Sequence, residues 1–163
     1  FKKKREYQIL KETKILHHKR KDLSRVQIIE FSILFIILNY LEIASKKLEE
    51  LSEIEFFSEK NENLKSEIIN SFTEGNNKED IISKIHIKYD EIIKEINENS
   101  NIQIITKNKN DHDVLNLLHE LIQNYKEQSN LRKIESLEQK LINNLDENSY
   151  LELIKLKSQL NRD

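Results

Sequence analysis

At 163 residues, the chain has room for one domain with a real core, or one domain plus an appendage. Charged residues make up 34% and hydrophobic residues 37%, with one glycine, no proline and no cysteine; this favours helices, leaves little material for tight β-hairpin turns, and excludes a disulfide framework or a thiolate metal site. The net charge of −2 conceals an asymmetry: residues 1–25 carry ten Lys/Arg against three Asp/Glu and the remainder 17 against 26, so the bulk of the chain repels nucleic acid and only its N-terminal arm could attract it.

The expected fold class is all-α. Isoleucines are abundant, but with other apolar residues they recur at helical spacings such as 64/68/69/72, 81/82/85 and 89/92/93/96, and no run of five or more alternates with polar residues. Residues 1–21 read as a basic linker or connecting helix with a thin stripe at Tyr7 and Leu10. Such a charge run is either a solvated face or a weak nucleic-acid contact through residues 1–25.

Asp22-Leu23-Ser24 supplies N-cap residues, and the segment after them is the most apolar in the chain: Val26, Ile28, Ile29, Phe31 and then Ile33 to Leu38. A helix apolar nearly all round is one buried among others. A short helix around Glu42 to Leu51 is expected next, then the apolar Ile54, Phe56 and Phe57, and a helix from Glu59 to Phe72 capped by Ser58. Glu74-Gly75-Asn76-Asn77 is the strongest loop signal. A helix from about Glu79 to Asn97 follows, its stripe formed by Ile82, Ile85, Tyr89, Ile92, Ile93 and Ile96; the polar interval Asn97 to Asn110 reads as a loop or a poorly formed turn of helix.

From Asp111 or Asp113 the pattern is helical to the end, broken only by the turn-prone Asp146-Glu147-Asn148-Ser149. With Val114 at 0° and about 100° per residue, Leu117, Leu118, Leu121 and Tyr125 cluster near the origin. Ile134, Leu137, Leu141 and Leu145 cluster about 180° away. The stripe therefore changes sides around Gln128 to Asn130, which a continuous helix of two opposed faces or a kink at Ser129-Asn130 would both satisfy. The predicted architecture is a helical bundle over 22–128, followed through this long helix by a C-terminal helical hairpin over 129–163. The hairpin core is Ile134, Leu137, Leu141, Leu145, Leu153, Leu156 and Leu160. Tyr150, Leu151 and Ile154, with Ser158 and Asn161, face about 135° from the last helix's stripe. They are left over for a protein partner, for the bundle itself or for a second copy.

Chemistry leaves few traces. His119-Glu120 is followed by Gln123 where a zincin helix needs its second histidine. His17, His18, His86, His112 and His119 find no ligand spacing, and a single glycine cannot build a phosphate-binding loop or a nucleophile elbow. Carboxylates at this density are solvated helix faces unless burial singles some out. No catalytic residue, metal site, cofactor or small-molecule substrate is expected in this chain. The longest apolar run, Ile33 to Leu38, is too short for a bilayer. No membrane association is expected, and the chain reads as a cytoplasmic piece of a longer polypeptide, since it starts at Phe1 and contains no methionine.

The stretch RVQIIEFSILFIILNYLEIASKKLEELSEIEFFSEKNENLKSEIINSF resembles the start of the C-terminal domain of bacterial DnaG-type primases, where an apolar helix leads to a Phe-Phe or similar pair and another helix. The terminal LRKIESLEQKLINNLDENSYLELIKLKSQLNRD resembles that family's last hairpin, with its RxIxxLEQxL helix, turn and LxLxxLxxxL helix. The likeness covers about residues 22–72 and 111–163 and is one of hydrophobic spacing. It implies a module that docks on the N-terminal domain of the replicative helicase, DnaB, and tethers or regulates primer synthesis at the replication fork. The zinc-binding and Toprim-type polymerase domains would lie elsewhere in a full-length primase. Carried onto this sequence, the helicase-binding residues are Tyr150, Leu151, Ile154, Ser158 and Arg162, although the chain ends Asn-Arg-Asp where relatives often finish with basic residues. The composition equally suits a helical bacterial surface or structural protein of unrelated function.

Overall fold

The computed structural model describes residues 24–100, 102–143 and 146–160, with the side chains of 143, 159 and 160 excepted. The basic segment 1–21, Leu145, Arg162 and the side chain of Leu160 thus lie outside the described residues. Among the described residues the fold is all-α: α1 (Arg25–Asn39), α2 (Leu41–Ser45), α3 (Leu48–Ser52), α4 (Glu59–Thr73), α5 (Lys78–Asn99), α6 (Ile102–Thr106), α7 (Asp111–Asn143) and α8 (Glu147–Leu160).

Ser24 starts α1 with a capping box. Its hydroxyl accepts from the Gln27 amide at 3.3 Å, and Gln27 Oε1 accepts from the Ser24 amide at 2.9 Å. The run from Phe31 to Ile37 is buried on every side, because α1 packs against α7 on one flank and α5 on another. The single helix expected around Glu42 to Leu51 is instead two five-residue helices, α2 and α3, separated at Lys46-Lys47. The hydroxyls of Ser45 and Ser52 each return to a carbonyl three residues back, at Glu42 and Glu49, and compete with continuation of the helix.

Helix α4 takes its cap from Ser58. It ends where the Gly75 and Asn76 amides reach back to the carbonyls of Phe72 and Ser71, with Gly75 at φ 76°. Helix α5 runs slightly longer than predicted because Asn77 caps it through the Asp80 amide at 2.9 Å. Its inner face differs from the expected stripe: Ile81, Ile85, Ile93 and Ile96 are buried, whereas Ile82, Tyr89 and Ile92 pack at the margin. Tyr89 itself is non-helical, with φ −126° and ψ 24°. The interval 97–110 contains the short helix α6, which closes over the core because Ile102 and Thr106 are buried on one side of it.

Helix α7 is continuous for 33 residues, so the change of face at 128–130 needs no kink. Val114, Leu118, Ile122 and Tyr125 enter the large core with α1, α4 and α5, Ile122 being more deeply buried than the expected Leu121. Ile134 and Leu137 enter a second cluster with Leu153 of α8, flanked by Leu141 and Leu156. Opposed stripes cancel when amphipathicity is averaged over the whole helix, which is why only phase, counted locally, reveals them. The expected turn 146–149 is not a turn. Glu147, Asn148 and Ser149 already belong to α8, and Asp146 is its cap, accepting from the Ser149 hydroxyl at 2.7 Å and the Ser149 amide at 3.0 Å. These bonds hold the Asp146 carboxyl below the ordinary carboxylate range.

Candidate interaction surface

Three of the residues assigned to partner binding stand in solvent: Tyr150 is 54% exposed, Leu151 58% and Ile154 47%. Ser158 is exposed as well, but its hydroxyl is turned back onto the Lys155 carbonyl at 2.8 Å. Among the described residues, the hairpin's own core consists of Ile134, Leu137 and Leu153, buried, with Leu141 and Leu156 partly so.

Two further apolar residues join the exposed set, Ile142 at 83% and Leu131 at 43%, and phase shows how they relate to α8. On α7, Leu131, Glu138 and Ile142 are rotated by about 70–110° from the stripe that faces α8. On α8, Lys157, Tyr150 and Ile154 are rotated by about 70–130° in the same sense from the stripe that faces α7. In two antiparallel helices facing one another, equal rotations in the same sense open on the same side of the pair. The ion pair between Lys157 Nζ and Glu138 Oε1, 2.7 Å long, crosses the seam on that side. Leu131, Ile142, Tyr150 and Ile154 therefore share one broad face of the helix pair, whereas Leu151, about 190° from the α8 stripe, is on the outer side of α8, away from α7. The contribution from α7 was readable in the same count of 100° steps. It is missed when only the last helix is searched for a leftover stripe.

A second feature lies where the bundle meets the distal half of α7. Glu30, midway along α1, is fully buried. One of its oxygens accepts from the Phe57 amide at 2.7 Å and the Tyr125 hydroxyl at 3.2 Å, and the other accepts from the Asn61 side-chain amide at 2.8 Å. The same tyrosine hydroxyl lies 2.8 Å from the Glu55 carbonyl. Burial, with the Glu30 charge second, pushes the Tyr125 phenol well above its usual pKa, so it stays a donor. Lys65, also buried, bonds the Ile54 carbonyl and pairs with Glu62 at 2.9 Å, and Glu62 in turn accepts from the Phe56 amide at 2.7 Å. These polar groups moor the extended segment Ile54–Phe57. Phe56 is turned inward, edge-on to Tyr125 with ring centroids 5.3 Å apart, and Phe57 outward, with the Arg132 guanidinium 5.0 Å from its ring centre. Beside them is a cleft of about 580 Å³ walled by Glu53, Phe57, Lys126, Ser129, Asn130 and Lys133.

Periodicity had no means of finding Glu30, which reads in sequence as one acidic residue among many. Its two oxygens are occupied by the Phe57 amide, the Tyr125 hydroxyl and the Asn61 side chain, which moors the 54–57 segment to α1. Of the histidines, His119 bonds Glu50 at 2.8 Å and His112 contacts Asn116 at 3.2 Å. Among the described residues no three His, Cys, Asp or Glu side chains converge on a common point, and no helix is long and apolar enough to cross a membrane. Comparison with protein-family models, curated proteins and solved structures returned no match.

Proposed function

We propose that this chain is a protein-interaction module whose partner surface is the open face of the α7–α8 hairpin. On the strength of the resemblance to DnaG-type primases, the partner is the N-terminal domain of the replicative helicase, and the module's role is to tether primer synthesis to the fork. Under this reading the chain performs no catalysis of its own.

The observation that carries the reading is the imbalance within the hairpin. Among the described residues it buries three large apolar side chains and leaves five others in water, of which Leu131, Ile142, Tyr150 and Ile154 share one face. Fully burying one such side chain is worth roughly 1.5–3 kcal/mol, so a partner that covers the face gains what the hairpin forgoes. Contiguous apolar faces of this kind are characteristic of docking sites, whereas scattered exposed residues are not.

The test is binding of the whole chain to the helicase N-terminal domain by titration calorimetry, with Tyr150→Asp and Ile154→Asp variants on the open face checked for helicity by circular dichroism. Each aspartate places a charge where apolar contact is required, and affinity should fall at least about tenfold. Folded variants that bind as tightly as the parent would remove this face from the contact.

A further inference from the structure

The charges around the open face are sorted by sign. On its α7 side stand Glu135 and Glu138, and on its α8 side Glu147 and Lys157. Glu138 and Lys157 neutralise each other across the seam, while Glu135 and Glu147 make no ion pair with any described residue and are exposed. The same count of 100° steps puts Lys133, Lys140 and Lys155 on the opposite side of the helix pair, with Glu152 as the acidic exception. The apolar residues thus share their side with the unpaired acids, and the bases are turned away.

We infer that the occupant of this face is a single amphipathic helix with an apolar seam and basic flanks, laid along the groove between α7 and α8 so that three helices enclose Leu131, Ile142, Tyr150 and Ile154. The inference rests on the reading of the hairpin as an interaction element and adds the chemistry of what it grips. Two antiparallel helices present a shallow groove of the width that one more helix fills, with apolar positions at i, i+3, i+4 and i+7 reaching the floor. Lysines or arginines on that helix's flanks would meet Glu135 on one edge and Glu147 on the other. A second copy of the same hairpin would bring acid against acid, and an anionic membrane surface would be repelled in the same way, so complementarity selects a basic helix over both.

The experiment uses the whole chain and two designed helical peptides of about 18 residues that share one leucine seam, the first flanked by lysines and the second by glutamates. Affinities are read by fluorescence anisotropy at low and high salt, and the site by amide chemical shifts. The lysine peptide should bind about tenfold more tightly, lose most of that advantage in high salt, and shift the amides of Ile142, Tyr150 and Ile154. In the double variant Glu135→Lys with Glu147→Lys the order of the two peptides should invert, whereas Lys140→Glu on the far side should leave it unchanged. Equal affinities, a preference for the glutamate peptide, an unchanged order in the double variant or shifts confined to the bundle would each overturn the inference. So would sedimentation of the free chain as a dimer that these hairpin charges do not weaken. The helicase domain run in parallel separates the two readings. If it fails to bind while the lysine peptide binds, only the partner's identity falls; if it binds while the peptides are equivalent, only the basic-helix inference falls.

Discussion

Replacing Glu30 with leucine isolates the mooring of the 54–57 segment. The carboxylate serves three donors, and the structure decides which of them would be stranded. The Phe57 amide also points at the Tyr125 hydroxyl, 3.1 Å away, and that hydroxyl also reaches the Glu55 carbonyl at 2.8 Å. Both retain a partner in Glu30→Leu. The Asn61 amide, 97% buried, has only Glu30 within 2.8 Å and loses it. One orphaned buried donor costs about 1–3 kcal/mol, and loss of a charge-assisted bond to Phe57 adds about 1 kcal/mol. Relief from burying a carboxylate offsets part of this, so the net destabilisation is about 2–3 kcal/mol. Glu30→Gln keeps an acceptor for Phe57, and Asn61 can turn its own amide to receive the new donor; about 1 kcal/mol follows. Urea unfolding followed by far-ultraviolet circular dichroism gives both numbers. A leucine variant as stable as the parent would refute the view that this network is mutually dependent, because it would mean that the stranded amide finds another partner or water at no loss.

The α4–α5 contact should be acid-sensitive. Hydrogen bonds from Lys84 and then Lys88 hold the Glu67 carboxyl at about 2, against an ordinary 4.5. A depressed folded pKa contributes stability that is present above 4.5 and is lost as pH falls from there toward 2. Because the lysines are half exposed, screening limits the effect to no more than about 1 kcal/mol. The stability gap between parent and Glu67→Gln, measured by urea titration, should shrink below pH 4.5 and in high salt; a gap independent of both would exclude the ion pairs as its source. Leu137→Ala removes one of three buried residues from the hairpin core and should cost about 2–3 kcal/mol locally. Hydrogen exchange should then show α8 amides losing protection while α1 amides keep theirs, and equal loss in both would mean that the two clusters unfold as one. Gly75→Ala forces an L side chain into φ 76° with open space around it. Thermal unfolding should show a loss of about 1 kcal/mol from backbone strain alone.

Helical period, the caps at Ser24 and Ser58 and the glycine stop at 75 are local signals, and each survives into the structure because its cause acts within a few residues. The reversal of stripe along the terminal helix is also local in origin, since it needs nothing but phase. Where prediction and structure part, a longer-range or finer competition intervened. The Ser45 hydroxyl competes with continuation of the helix where the 41–52 region divides in two, Asn77 starts α5 one residue early, and the Asp146 cap makes 147–149 the first turn of α8.

By itself, then, the sequence determined an all-helical chain and the opposed faces of its longest helix, because the spacing of apolar residues is a property of consecutive positions. Tertiary structure alone decided the rest. It selected Glu30 from 29 acidic residues by bringing Phe57 and Asn61 to it from one distant stretch and Tyr125 from another. It kept α7 continuous through the change of face, since each half had its own core to enter. And it set Ile142 and Leu131 on the same side of the helix pair as Tyr150 and Ile154, an alignment that exists only once two antiparallel helices have chosen which sides to turn toward each other.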